Sequence, residues 1–429
     1  MNPRPNILYI MTDQQSADAI SCAGNEHLHT PALDRLASRG VRFDCAYSVF
    51  PLCVPARTAM FTSRMPHEAG VFDNHPERHT GLPFPMLGRL MTDAGYRSHY
   101  IGKWHIPSVA ESDTASHGFD EIVFGGGYGN LDRNKTARAI EFLREPHGQP
   151  FFLTVSYNNP HDCCELSRGD DLRMETIPRP PEELSQLPPL PENHVIPEDE
   201  PEALREFQHA MKKYLMAYQW DEKRTRQYIW GYYRLTEIAD REIGQVLDAL
   251  EETGLEDNTV IIFSSDHGDG HGCHKWNQKW SLYDESARVP FIVAAPKTSA
   301  PDSTDQSPTS PMLDLMPTVL DYANLPLPEG CRGCSVRPAV EGKPIPDRNY
   351  IVSETDLSQP EILPDTPRNP CRMVRSDRFK YIVFSRGTNR EQLVDMQEDP
   401  GEMNNLALSP EQHGILEKHR SMLEKWQRE

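Results

Sequence analysis

The stretch NILYIM, residues 6–11, decides the fold class, because the five residues after Asn6 form an unbroken apolar run of strand length. Runs rich in β-branched and aromatic residues recur at RSHYIG (97–102), PFFLTVSY (150–157), NTVIIFSS (258–265) and VPFIVAAP (289–296). Amphipathic patterns typical of helices lie between them, such as PALDRLASRG and YIWGYYRLTEIADREIGQVLDALEETG. Apolar strands that alternate with helices favour a parallel sheet buried on both faces. The sequence therefore predicts an α/β protein with a mostly parallel central sheet sandwiched by helices.

The pattern changes near residue 345. NYIVSE and CRMVRSDRFKYIVFS are typical of antiparallel strands, and a last helix is predicted from about Pro410. We expect a larger α/β domain over residues 1–345 and a smaller C-terminal subdomain, an antiparallel sheet with one helix, over residues 346–429. Residues 176–202 are rich in Pro, Glu and Asp without periodicity, so they are predicted to be a surface insertion in the larger domain.

Composition limits the partners and the compartment. The 429 residues include 44 basic and 64 acidic ones, and the formal charge of −20 argues against general binding to nucleic acid or anionic membranes. No apolar run approaches the roughly 20 residues that span a bilayer. The amino terminus lacks a signal-peptide pattern, so we expect a cytoplasmic protein, or a periplasmic or secreted one if a signal was removed.

The cysteines are predicted to be mostly reduced thiols. There are nine of them, an odd number without the regular spacing of a disulfide scaffold. CRGC, residues 331–334, is a CxxC motif without a second pair, and we interpret it as two loop cysteines rather than a zinc or redox site.

Polar residues follow the predicted strands at their carboxyl ends, where ligands gather in open α/β sheets. They are Asp13 and Gln14, Lys103 and His105, His161, and Asp266 and His267. Two aspartates, an amide oxygen and an imidazole make a suitable site for a divalent metal. Oxygen ligands favour Ca²⁺ or Mg²⁺, and a histidine ligand favours Mn²⁺.

Cys53 opens the segment CVPARTAMFTSR, residues 53–64. Proline at an early position and good helix formers after it predict that Cys53 lies at a helix amino terminus, where free N–H groups favour negative charge. Arg57, four residues on, projects from the same side of that helix. A thiolate nucleophile with a lowered pKa is one interpretation of such a cysteine.

The pattern C-x-P-x-R at residues 53–57 resembles the signature of the type I sulfatases, members of the alkaline phosphatase-like superfamily. In that family the cysteine is oxidised to Cα-formylglycine; Ala56 stands where a serine is usual. The resemblance extends over nearly the whole chain, because further family motifs occur in the same order: RPNILYIMTDQQ, YIGKWH, HGFD (117–120), LEDNTVIIFSSDHGD, KWSLYDESARVPFIV and LVDMQEDPGEMNNLA (393–407).

The resemblance implies a role for each candidate residue. It implies one divalent metal, with Ca²⁺ favoured over Mn²⁺ or Mg²⁺, held by Asp13, Gln14, Asp266 and His267 with the modified Cys53 as a further ligand. The cationic residues implied around the aldehyde hydrate and the sulfate are Arg57, Lys103, His105, His161 and Lys279. Among them we expect His105 to be the base and His161 or Lys279 to protonate the leaving group. His274 either contacts substrate or has a structural role.

Three functions follow from these residues. The first is a sulfatase that acts on a sulfated carbohydrate, a monosaccharide or oligosaccharide, after a formylglycine-generating enzyme has matured Cys53. The second is a phosphonate monoester or phosphodiester hydrolase on the same scaffold, since the combination of Gln14 and His267 also resembles that branch. The third is a non-catalytic binder of sulfated glycans with unmodified Cys53.

Overall fold

The computed structural model describes residues 4–79, 81–107, 117–124, 131–296, 298, 300–346, 348–358 and 368–428. The strands in chain order are β1 (Asn6–Asp13), β2 (Val41–Phe43), β3 (Arg97–Gly102), β4 (Glu121–Val123), β5 (Phe151–Pro160), β6 (Thr259–Ser265), β7 (Phe291–Ala294), β8 (Ser303–Asp305), β9 (Tyr350–Asp356), β10 (Pro370–Ser376), β11 (Phe379–Phe384) and β12 (Glu391–Asp395).

The helices in chain order are α1 (Pro31–Arg39), α2 (Cys53–Thr62), α3 (Pro66–Ala69), α4 (Leu87–Asp93), α5 (Asp132–Arg144), α6 (Cys163–Arg168), α7 (Glu202–Ala210), α8 (Glu222–Glu252), α9 (Asp284–Ala287), α10 (Pro311–Tyr322), α11 (Arg337–Val340) and α12 (His413–Arg428). None of the helices in the described ranges combines the length and the apolar character needed to cross a membrane.

The central sheet has the strand order β4-β3-β5-β1-β6-β7-β2-β8. The first five strands in this order, from β4 to β6, are parallel to one another, and β7 is antiparallel to both β6 and β2. Every residue of β1 is buried: Ile7, Tyr9 and Met11 face one apolar layer and Leu8 and Ile10 face the other. Because both faces of β1 are covered, its central residues 7–11 are all apolar.

Helices cover both faces of this sheet. Apolar residues of α2, α4 and α10 form one layer with the sheet, and those of α1, α5 and α8 form the other. The parallel strands all end at one edge, and this edge carries the loops that follow β1, β3, β5 and β6. The predicted α/β class, with a mostly parallel sheet between helices, is confirmed.

A second sheet, with strand order β12-β11-β10-β9, is antiparallel. One face packs against α12 through an apolar cluster that includes Val374, Leu416 and Leu423. The other face packs against the larger part of the chain in a cluster that includes Met373, Ile382, Phe207, Trp276 and Trp280. The predicted C-terminal sheet with one helix is thus confirmed, whereas the division at residue 345 stays a prediction.

The segment predicted as an insertion, residues 176–202, contains one short 3₁₀ turn, Leu184–Gln186, before α7 begins. Part of it is anchored, since the buried Asn193 accepts a backbone hydrogen bond from His274 at 2.7 Å and donates through Nδ2 to Glu285 Oε1 at 2.9 Å. All nine cysteines lie in the described residues and are free thiols, as the sequence predicted.

Candidate active site

Cys53 is the first residue of α2 and is fully buried. Its sulfur lies among groups from separate parts of the chain: His267 Nε2 at 3.2 Å, Lys279 Nζ at 3.3 Å, Asp13 Oδ1 at 3.7 Å and Lys103 Nζ at 4.0 Å. The helix start predicted from Pro55 therefore places Cys53 at the edge of the sheet where the strands end.

Arg57 fixes the two aspartates of the site. Its guanidinium donates through Nη2 to Asp13 Oδ2 at 2.9 Å and through Nε to Asp266 Oδ2 at 2.7 Å, and all three side chains are fully buried. Because the Oδ2 atoms of both aspartates accept hydrogen bonds from Arg57, their Oδ1 atoms face Cys53 and His267. Asp13 Oδ1 lies 3.7 Å from Cys53 Sγ, and Asp266 Oδ1 lies 3.7 Å from His267 Nε2.

These side chains fit a divalent metal. Ligand atoms of Asp13, Cys53, Asp266 and His267 all lie within 4.8 Å of one another, and all four residues are buried. The Gln14 amide reaches the same place, because its Oε1 accepts from Lys279 Nζ at 3.1 Å and that ammonium lies 3.3 Å from Cys53 Sγ. Carboxylate and amide oxygens with one imidazole are the ligand types that hard divalent cations accept.

The combined effect of burial and the neighbouring charges lowers the pKa of Cys53 and Asp13 but raises the pKa of Asp266. Burial opposes ionisation of Cys53, but Lys103, Lys279 and His267 outweigh it and hold the pKa of the thiol well below its usual value. Burial and the Cys53 thiolate oppose ionisation of Asp13, yet Lys103 and the other cations lower its pKa. Burial, helped by the charge of Asp13, raises the pKa of Asp266. The site therefore stabilises negative charge at Cys53 and Asp13.

The predicted cationic residues converge on the same point. Lys279 Nζ lies 3.3 Å from His161 Nε2, and Lys103 Nζ lies 2.6 Å from Asp13 Oδ2. Burial lowers the pKa of the His105 imidazole, and the neighbouring Cys53 offsets part of that shift. The structure thus brings together Cys53, Arg57, Lys103, His105, His161 and Lys279 with Asp13, Gln14, Asp266 and His267; their individual roles stay predictions.

His274 has a different setting. Its ring stacks on Tyr283 with centroids 3.7 Å apart and an interplanar angle of 5°, and its Nε2 lies 3.3 Å from Asn193 Nδ2. Burial, with the nearby cations Lys380 and Arg205, lowers the pKa of His274 to about 3. These contacts favour the structural role, and contact with substrate stays a prediction.

Three buried groups that support the site were not identified from the sequence. Asp132 accepts from the backbone N–H groups of Asn158 at 2.8 Å and Asn159 at 3.0 Å, and so holds the chain just before His161. Asp269 Oδ2 accepts from Gln14 Nε2 at 2.9 Å. Cys164 Sγ lies 3.5 Å from Gln14 Oε1. The motif SSDHGD contained Asp269, whereas Asp132 carried no local signal because its partners lie 26 and 27 residues away.

A glycine closes the turn that carries His267. A Cβ atom at Gly268 would lie 2.0 Å from the carbonyl oxygen of Glu285 and 2.8 Å from Ser16 Oγ. Only glycine lets these segments approach so closely. Gly268 therefore keeps the candidate metal ligands Asp266 and His267 next to the segment that follows Lys279.

Comparison with known proteins identifies the family. The sulfatase family model matches residues 5–325, and the model of the N-sulphoglucosamine sulphohydrolase C-terminal region matches residues 272–429. The Delta 4,5-hexuronate-2-O-sulfatase of Bacteroides thetaiotaomicron is 33% identical over 434 residues, which cover 98% of this chain and 88% of that protein.

Solved structures agree with this assignment. A 2-O GAG sulfatase superposes with a TM-score of 0.84 at 30% identity, covering 99% of this chain and 92% of that one. A protein in complex with its substrate D-glucosamine-2-N,6-O-disulfate superposes with a TM-score of 0.81 at 25% identity, covering 99% of this chain and 98% of that one. The chain therefore belongs to the sulfatase family and is a sulfuric ester hydrolase, as its motifs predicted.

Proposed function

We propose that the chain hydrolyses the sulfate ester of a sulfated carbohydrate, using Cα-formylglycine formed from Cys53 and one bound Ca²⁺. The observation that carries the proposal is the position of Cys53 Sγ, which lies 3.2 Å from His267 Nε2, 3.3 Å from Lys279 Nζ and 3.7 Å from Asp13 Oδ1. In this chain the sulfur marks the place of the oxygen atoms that the aldehyde hydrate would carry. Relatives that act on sulfated sugars support the substrate class.

The site supplies the charges that a sulfate ester needs. A sulfate monoester is an anion, and the chain as a whole is strongly acidic, so binding depends on local cations. Lys103 and Lys279 provide them beside Cys53, and both ammonium groups are buried, where electrostatic stabilisation is strongest. A bound divalent metal would add Lewis acidity, and the aldehyde hydrate would supply the nucleophilic hydroxyl.

The surrounding residues move protons. Burial lowers the pKa of His105, so its imidazole is neutral near pH ~7 and can accept a proton from the hydroxyl group at position 53. Lys279 or His161, whose nitrogens lie 3.3 Å apart, donates a proton to the leaving oxygen of the sugar. Arg57 keeps both aspartates in place and remains charged throughout, since burial is outweighed by Asp266 and Asp13, which raise its pKa.

Maturation requires a second protein. Cys53 is fully buried in the folded chain, so a formylglycine-generating enzyme cannot reach its thiol there. We therefore expect the enzyme to act on the chain before it folds. Peptide mass spectrometry of the Cys53 fragment, from protein co-expressed with such an enzyme, should show the aldehyde.

The test of function is a substrate screen with this matured protein. Defined 2-O-sulfated and 6-O-sulfated mono- and disaccharides should be hydrolysed faster than an aryl phosphonate monoester, and Cys53→Ala should be inactive. Full activity in protein whose Cys53 is entirely unmodified would show that the proposed mechanism is wrong. Faster hydrolysis of the phosphonate would instead favour the alternative that Gln14 and His267 suggest.

A further inference from the structure

The Gln14 amide is held at both ends by charged groups. Its Nε2 donates to Asp269 Oδ2 at 2.9 Å, and its Oε1 accepts from Lys279 Nζ at 3.1 Å. An ionised carboxylate only accepts hydrogen bonds and an ammonium only donates them. The amide therefore has one orientation that satisfies both neighbours, and in it the oxygen faces Lys279 and the nitrogen faces Asp269.

Asp269 is itself fixed from several sides. Besides Gln14, its Oδ2 accepts from the hydroxyl of Tyr228 at 2.8 Å and from the backbone N–H of Gln278 at 3.0 Å. Its Oδ1 accepts from the backbone N–H of His271 at 3.0 Å. The side chain is fully buried, so the carboxylate cannot rotate without leaving these donors unpaired.

We propose that Asp269 is a positioning residue of the metal site, which holds the Gln14 amide with its oxygen toward the metal. An amide presents an oxygen on one side only, whereas a carboxylate at position 14 would present one in either orientation. The partners that orient a ligand affect metal affinity even though they do not touch the ion. This inference rests on the metal of the proposed function.

Calcium binding by the full chain tests the role of Asp269 without any substrate. Protein stripped with chelator is titrated with CaCl₂ by calorimetry, and Asp269→Asn should raise the dissociation constant roughly 10–100-fold. Asparagine has one oxygen where aspartate has two. Its amino group must therefore face either the His271 N–H or the donors that bond Oδ2, which include Gln14 Nε2. Tyr228→Phe is the matched control, because it removes a donor to the same Oδ2 and leaves the Gln14 bond. Its dissociation constant should rise by clearly less than the roughly 10-fold minimum expected for Asp269→Asn.

A double variant at positions 14 and 269 distinguishes loss of the Gln14 orientation from a general loss of structure at the site. Gln14→Glu combined with Asp269→Asn keeps the total charge of the parent and removes the need to orient the side chain at position 14. We expect Asp269→Asn to raise the Ca²⁺ dissociation constant much less in the Gln14→Glu background than in the parent, because a carboxylate at position 14 presents an oxygen to the metal in either orientation. If Asp269→Asn alone does not fold, Gln14→Glu and the double variant carry the test, and the two should bind Ca²⁺ about equally tightly.

The outcomes distinguish this inference from the proposed function. If the parent chain binds none of Ca²⁺, Mn²⁺ and Mg²⁺, the proposed metal is wrong and the positioning role with it. If the parent binds Ca²⁺ but Asp269→Asn binds it equally well, or if Asp269→Asn weakens binding by the same factor in the Gln14→Glu background, the positioning role alone is overturned.

Discussion

At the scale of single residues, Lys279 connects three parts of the site. Its ammonium lies within 3.3 Å of Cys53 Sγ, His161 Nε2 and Gln14 Oε1. Such a group can neutralise the sulfate, orient a metal ligand and pass a proton to the leaving group. His161 shares only part of this setting, with its Nε2 4.0 Å from Asp13 Oδ1. The two residues can therefore be separated by experiment.

We predict that either His161→Ala or Lys279→Ala loses far more activity on a sugar sulfate than on nitrophenyl sulfate. A sugar alkoxide leaves poorly and needs a proton, a contribution of roughly 10²–10⁴ in rate, whereas nitrophenolate needs little. The measurement is kcat/KM for both variants on both substrates, with the exposed Lys343→Ala as a control that should match the parent. Equal losses on the two substrates in both variants would contradict the assignment of a leaving-group acid to this pair.

The sequence predicted residues of the site that end strands or belong to motifs, and missed those that act through distant contacts. Asp13 and Asp266 follow apolar runs that are recognisable by themselves. The bond between Gln14 and Asp269 joins residues 255 positions apart, and no local pattern indicates which acceptor a buried amide will meet. Whether Gln14 can act as a metal ligand depends on which way its amide faces. That orientation can be read only from the folded structure.

At the scale of helices and strands, the amino terminus of α1 is capped from another helix. Thr30, the residue before α1, makes no side-chain cap hydrogen bond. Instead Asp240 of α8 accepts from the backbone N–H groups of Ala32 at 3.1 Å and Leu33 at 2.9 Å. One carboxylate thus satisfies two of the free donors of α1 and fixes α1 against α8.

Asp240→Ala should lower the free energy of unfolding by about 1–3 kcal/mol, because two buried N–H groups lose their acceptor. Burial raises the pKa of Asp240 to about 6, so between about pH 4 and pH 6 the folded chain binds this proton and the unfolded chain does not. The stability contributed by Asp240 therefore increases as the pH falls through that range. Urea unfolding of parent and variant at a series of pH values checks this, and a difference that narrows toward acid pH would contradict it.

The strand pattern could be predicted where strands are long and buried, but not where they are only three residues long. RSHYIG was predicted at residues 97–102, the bounds of β3. The three-residue strands β2 and β8 are too short for a periodic pattern. The reversed direction of β7 could not be predicted either, because an apolar strand has the same composition in both directions.

At the scale of the whole molecule, a buried ion cluster joins the C-terminal sheet to the rest of the chain. Lys380 of β11 is fully buried, and its Nζ lies 2.8 Å from Asp284 Oδ1 and 2.7 Å from Glu402 Oε1. Asp284 is five residues beyond Lys279, so this junction adjoins the candidate active site in sequence. Glu402 belongs to the C-terminal motif DPGE, and its partner Lys380 could not be predicted because the motif itself contains no cation.

Lys380→Met should destabilise the protein by about 3–5 kcal/mol, because it removes the buried cation that contacts both Asp284 and Glu402. Asp284 keeps a second cation, since Arg288 Nε lies 3.1 Å from its Oδ2. Lys343→Met is the matched control: Lys343 forms an exposed pair with Glu341 at 2.9 Å, and such pairs contribute about 0–1 kcal/mol. Urea unfolding followed by tryptophan fluorescence suits the measurement, since Trp276 and Trp280 lie in the apolar cluster at this junction. A Lys380→Met variant as stable as Lys343→Met would mean that apolar packing alone holds the C-terminal sheet in place.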